Sequence, residues 1–101
     1  MELTKQAFEQ LIEQEFELTD LNSATVQIKL AQVESPDERI MSQAIELGVR
    51  EPFSLLFKGP EEPFLEQHMY ALYHNKLGRF ELFLVPVGHV PGGYQYEAVF
   101  G

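Results

Sequence analysis

The sequence predicts an α+β fold that is mostly β, an antiparallel meander curled into a small roll or barrel with one N-terminal helix. Beyond the first helical segment, apolar residues recur with a period of two, which is typical of strands with one solvent-exposed face. The connections between most strand-like segments are too short for parallel crossovers, which need about a dozen residues or more. With 101 residues in total, we expect a single domain spanning residues 1–101.

The first element is a helix over about residues 5–13. Thr4 is a suitable N-cap, and Phe8, Leu11 and Ile12 recur at helical spacing while the residues between them are polar. We expect this helix to plug one end of the roll or barrel, or to cover a sheet edge.

Alternation of apolar and polar residues marks the strands. Val26, Ile28 and Leu30 give the clearest case. Val33 then breaks the alternation, which predicts a bulge or the end of the strand near Ala31 and Gln32. The predicted strands are 15–19, 25–33, 53–58, 68–74, 80–86 and 94–100.

Residues 35–48 fit more than one structure. Ser35 and Pro36 begin a sequence resembling a helix N-terminus, the apolar residues that follow have helical spacing, and Gly48 is a suitable stop. A helix is the first interpretation of this stretch. A loop, or an edge strand through residues 41–47, is the alternative.

The charge and composition exclude several classes of partner. The chain carries 16 acidic against 7 basic residues, for a formal net charge of −9, and its basic residues are scattered. Nucleic acids and anionic membranes are bound through clustered Lys and Arg, so we expect neither as a partner. No apolar run approaches the ~20 residues needed to span a bilayer, and no signal peptide is apparent. We therefore expect a cytoplasmic protein.

The sequence offers no recognisable catalytic or metal-binding constellation. Cysteine is absent, and His68 and His74 would lie roughly 20 Å apart on one strand. His89 lies in a glycine-rich turn, and Ser54 lies within a strand, away from any nucleophile elbow. We expect no catalytic residues, no metal, no cofactor and no enzymatic activity.

Several spaced motifs in the C-terminal half match a known family in order. They are Phe53–Pro60, Leu65-x-Gln67, Tyr70-x-Leu72-x-His74, Leu77-Gly78-x-Phe80 through Gly88, and Tyr96–Phe100. The chain resembles the DUF6916 family of small uncharacterised bacterial proteins, over roughly residues 15–101 and most densely from Phe53 onward. The resemblance implies a bacterial protein and brings no activity, substrate or cofactor with it.

Aromatic residues are the strongest functional signal. They are concentrated between residues 53 and 100 and occur at both odd and even positions of most strands, so they point to both faces of the sheet. One small core is not expected to hold so many rings. Exposed aromatics commonly mark an interface. The residues predicted to line an interface or a pocket are Phe53, Phe57, Tyr70, Tyr73, His74, Phe83 and Tyr96.

Two functions follow from these residues. The first is a non-enzymatic interaction or assembly module that binds a protein partner or associates with itself. The alternative is a small-molecule-binding or catalytic domain, whose site inside the curled sheet is lined by Tyr70, His74 and Tyr96.

Overall fold

The computed structural model describes residues 3–34 and 53–100, so the stretch 35–48 lies outside the described residues. The described chain contains one helix and six strands. They are α1 (Lys5–Glu9), β1 (Glu15–Thr19), β2 (Thr25–Glu34), β3 (Phe53–Pro60), β4 (His68–His74), β5 (Gly78–Val90) and β6 (Gly93–Phe100).

The six strands form a closed antiparallel barrel in the order β1-β2-β3-β6-β5-β4, with β1 also pairing with β4. This architecture confirms the predicted fold class. The chain builds it from two consecutive three-stranded meanders, β1-β2-β3 and β4-β5-β6, which are joined where β3 pairs with β6 and β1 with β4. In this order β5 lies across the barrel from β2.

Helix α1 is shorter than the 5–13 pattern suggests. The Thr4 hydroxyl caps it by accepting a hydrogen bond from the backbone N–H of Ala7 at 3.1 Å. The chain then turns through Glu13, which has a positive φ of 75°, and the Glu13 N–H donates to the Leu30 carbonyl at 2.7 Å. The helix stops at Glu9 because the following residues turn to pair with the end of β2.

Two bulges bend the longer strands. The β2–β3 register shifts between Leu30 and Gln32, and β2 continues to Glu34. Of the two alternatives for this place, a bulge or a strand end, the structure has the bulge. In β5 the register shifts between Pro86 and Gly88, and the strand continues to Val90. Proline lacks the N–H of a regular ladder position and is tolerated at a bulge, so Pro86 does not end the strand as the 80–86 boundary assumes.

One side of every strand fills the barrel, and α1 closes one end. Phe8 of α1 packs on Phe16, Phe53 and Phe80, with ring centroids 5.9–6.3 Å apart. These three residues lie near the starts of β1, β3 and β5, which meet at the same end of the barrel.

Within residues 3–34 and 53–100, no helix has the length and apolar character needed to cross a membrane.

Candidate interaction surface

Five of the seven residues predicted to line an interface or pocket lie inside the barrel. They are Phe53, Phe57, Tyr70, His74 and Tyr96, each no more than 4% exposed. Their side chains belong to the core or contact it, because barrel closure and α1 bury one parity of each strand. A partner has no direct access to these side chains in the folded barrel.

The polar ends of the two buried tyrosines are bonded within the chain. The Tyr96 hydroxyl accepts a hydrogen bond from the Leu65 backbone N–H at 2.9 Å, and the Tyr70 hydroxyl donates to the Glu66 carbonyl at 2.6 Å. Burial raises the pKa of both hydroxyls above the ordinary value. Both therefore stay neutral at physiological pH and hold the connection between β3 and β4 against the barrel.

The ring nitrogens of His74 are likewise hydrogen-bonded within the chain, at the opposite end of the barrel. Its Nδ1 accepts a hydrogen bond from the Lys76 backbone N–H at 3.0 Å, so Nε2 carries the proton and donates to Gln14 Oε1 at 2.8 Å. Its ring packs on Phe16 with centroids 4.7 Å apart. Burial, with a smaller contribution from the Lys76 charge, lowers the pKa of His74 below its ordinary 6.5.

The predicted pocket residues Tyr70, His74 and Tyr96 are therefore not brought together around one space. Tyr70 and His74 are four residues apart along β4, roughly 13 Å. Tyr70 and Tyr96 both bond to the connection between β3 and β4, at Glu66 and Leu65, whereas His74 bonds to Gln14 and Lys76 at the other end of the barrel. The hollows bordered by Tyr73 have volumes of about 250 and 300 Å³, and His74 also lines the larger one. A separate hollow of about 250 Å³ is lined by Tyr70.

The His74 environment predicts a pH dependence of stability. The folded-state pKa is lowered, so the unfolded chain binds the proton more readily, and the stabilisation present above pH 6.5 is lost as the pH falls below it. We expect the free energy of unfolding to fall between pH 8 and about pH 5.5, and to fall less in His74→Gln.

Urea unfolding of the wild type, His74→Gln and His68→Gln at the two pH values measures this difference. His68 is exposed on the same strand, so His68→Gln should keep the wild-type slope. Equal slopes for the wild type and His74→Gln would contradict this account of His74.

The histidines are dispersed, and the described residues contain no group of three His, Cys, Asp or Glu side chains able to hold a metal ion. His89 stacks on Tyr94 with ring centroids 4.6 Å apart, and its Nε2 lies 3.8 Å from Glu61 Oε1. His68 packs edge-on against Tyr70.

The other two predicted residues, Tyr73 and Phe83, face outward. They are 41% and 45% exposed, and two further apolar side chains on the outer wall, Met69 and Val99, are 48% and 71% exposed. Single exposed apolar side chains are common on protein surfaces, whereas a contiguous apolar patch indicates contact with another molecule, so the relative positions of these residues matter.

Met69, Phe83 and Val99 face outward on three neighbouring strands, and we call these three side chains the outer stripe. Met69 of β4 pairs directly with Phe83 of β5. The β5–β6 pairing ends at Val85 opposite Glu97. Phe83 lies two residues before Val85 and Val99 lies two residues after Glu97, so both have the outward parity of that pair, although the ladder does not extend to them. The outer stripe therefore crosses three neighbouring strands.

Tyr73 lies on the same wall but apart from the outer stripe. It pairs with Glu17 on one side and Arg79 on the other, and it is four residues from Met69, roughly 13 Å along β4. Phe64 is also exposed, but its ring packs on Tyr94 with centroids 4.8 Å apart. Val87 is 51% exposed and lies at the bulge of β5, four residues from Phe83. The outer stripe differs from these side chains because its members lie on three neighbouring strands.

Sequence reasoning missed Met69 and Val99 because it ranked aromatic rings above aliphatic side chains. Strand parity identifies both once the structure shows which parity of each strand faces inward. Met69 has the parity of Tyr73 on β4, and Val99 has the parity opposite to the buried Ala98 and Tyr96 on β6.

Comparison with known proteins gives one match. The family model described as "Domain of unknown function (DUF6916)" matches residues 3–100. No curated protein and no solved structure matches the chain.

Proposed function

This chain belongs to the DUF6916 family, and we propose that it is a non-enzymatic protein-interaction module that binds its partner through the outer stripe. The observation that carries the proposal is the set of three exposed apolar side chains, Met69, Phe83 and Val99, on neighbouring strands. A protein surface is the occupant that best fits an exposed aromatic ring flanked by aliphatic side chains.

The rigidity of the outer stripe supports this function. Its residues are on barrel strands rather than on loops, so their backbone is ordered before any partner arrives and little conformational entropy is lost on binding. Aromatic residues on a flexible loop would lose more conformational entropy on binding. The Phe83 ring, between Met69 and Val99, has the position of an anchor residue.

The use of the interior also supports binding over catalysis. Tyr70, His74 and Tyr96 direct their polar atoms to partners within the chain. Nucleophilic or acid–base catalysis requires such groups to reach a substrate, and these three are committed to the fold.

Site-specific photocrosslinking tests the proposed surface. We expect Phe83→p-benzoylphenylalanine, introduced in the cells from which the protein comes, to form a discrete adduct with one protein. The substituted ring retains the aromatic character of the anchor and reacts only with what lies against it. The adduct is measured by its mass shift and by sequencing of the crosslinked peptide.

The matched control is Gln27→p-benzoylphenylalanine. Gln27 is exposed on β2, across the barrel from β5, and we expect little adduct there. Equal yields at both positions, or no adduct at position 83, would overturn the proposal. An adduct between two copies of this chain would identify self-association as the form that the interaction takes.

A further inference from the structure

We propose that the partner segment is cationic as well as apolar, with Lys or Arg side chains flanking the apolar residue that packs on Phe83. This inference rests on the proposed function of the outer stripe and adds the chemistry of the partner. It comes from the distribution of charge around Met69, Phe83 and Val99.

Three carboxylates border the outer stripe, and we call them the acidic frame: Glu34, Glu81 and Glu97. Glu81 lies two residues before Phe83 on β5, and Glu97 lies two residues before Val99 on β6, so each has the outward parity of its apolar neighbour. Glu34 pairs with Ser54, which also pairs with Val99. The outer stripe thus lies between negative charges.

The acidic frame forms no ion pair within the described chain. The ion pairs between described residues are Lys29 with Glu13 and His89 with Glu61, and both lie outside the frame. Two exposed basic residues lie on the same wall: Arg79, two residues before Glu81 on β5, and Lys58, which pairs with Gln95. A docked Lys or Arg would therefore meet carboxylates that form no ion pair with a cation of residues 3–34 and 53–100.

The net charge of the chain favours the same class of partner. With a net charge of −9, the chain attracts cationic proteins at long range and repels acidic ones, an effect that acts mainly on the association rate. A second copy is the less suitable occupant because two outer stripes face to face would bring two acidic frames together.

Two synthetic peptides with the same apolar centre test this inference. One is flanked on both sides by lysines and the other by glutamates, and fluorescence anisotropy measures their binding to the full chain. We expect the lysine-flanked peptide to bind at least about tenfold more tightly than the glutamate-flanked peptide, and its affinity to decrease with added salt.

Two variants separate specific docking from general attraction to an acidic protein. Phe83→Ser keeps every charge and should weaken binding of the lysine-flanked peptide by at least about tenfold. Glu81→Gln combined with Glu97→Gln should weaken it roughly threefold to tenfold. The control, Glu15→Gln with Glu17→Gln, removes the same charge from exposed positions on β1 and should change affinity much less.

The outcomes distinguish this inference from the proposed function. Equal binding by Phe83→Ser and the wild type, or equal losses from the two double Glu→Gln variants, would overturn the cationic docking site. Absence of binding by the lysine-flanked peptide, while the crosslink at position 83 forms, would also overturn it and leave the proposed function in place. A failed crosslink at position 83 would overturn both.

Discussion

Gly93→Ala is expected to destabilise the barrel by about 3 kcal/mol, the upper end of the usual cost of overpacking. Gly93 begins β6 opposite Pro60 of β3, and a Cβ atom at this position would collide with the backbone carbonyl of Gly59. Neither strand can move away without breaking the β3–β6 pairing. Chemical denaturation of the purified variant measures the loss.

Gly88→Ala is the matched control for this prediction. Gly88 is also a strand glycine, and the nearest atom to its added Cβ is Gln95 Oε1 at 3.2 Å, the movable end of a long side chain. We expect a change within about 1 kcal/mol in either direction, since alanine also restricts the unfolded chain. Similar stabilities for Gly93→Ala and Gly88→Ala would show that the β3–β6 contact is looser than described here.

Met69→Ser combined with Phe83→Ser is expected to have the largest effect on binding, a loss of partner affinity of about thirtyfold or more. Both side chains are nearly half exposed, and serine removes most of the apolar surface that a partner would cover. Co-purification of the partner identified by crosslinking measures the loss at matched protein concentrations.

Leu21→Ser is the control for that experiment. Leu21 is 55% exposed and lies in the turn between β1 and β2, away from the outer stripe. It removes a comparable exposed apolar side chain, and we expect the partner to be retained. Loss of the partner in both variants would point to a general effect of surface polarity.

Much of the fold could be predicted from local patterns in the sequence. Phe16 and Leu18 alternate with glutamates, and both are buried in β1 as alternation requires. Val33 broke the pattern of Val26, Ile28 and Leu30, and a bulge is present at that place. These features depend on neighbouring residues alone, and so they can be predicted without tertiary information.

Features set by distant contacts could not be predicted in this way. The helix ends early because Glu13 bonds to Leu30, and the pairing of β3 with β6 follows from how the two meanders close. Pro86 is a stop signal in isolation, but the bulge beside it lets β5 continue.

The sequence predicted that some aromatic residues would be exposed, but not which ones. Aromatic residues on both parities indicated correctly that some rings would remain outside, as Tyr73 and Phe83 do. Which parity faces inward depends on closure of the barrel and on Phe8, whose ring packs on Phe53. Sequence patterns therefore could not separate the buried Phe53 from the exposed Phe83.

The free energy of unfolding of the double variant Met69→Ser with Phe83→Ser, compared with that of the wild type, tests most directly whether the outer stripe is a surface kept for a partner. If these side chains contribute nothing to the barrel itself, the two values will agree within about 0.5 kcal/mol per substitution, as is usual for surface positions. A loss of about 2 kcal/mol or more per side chain, the cost of removing a packed core residue, would show that the chain covers this stripe itself and would contradict the account.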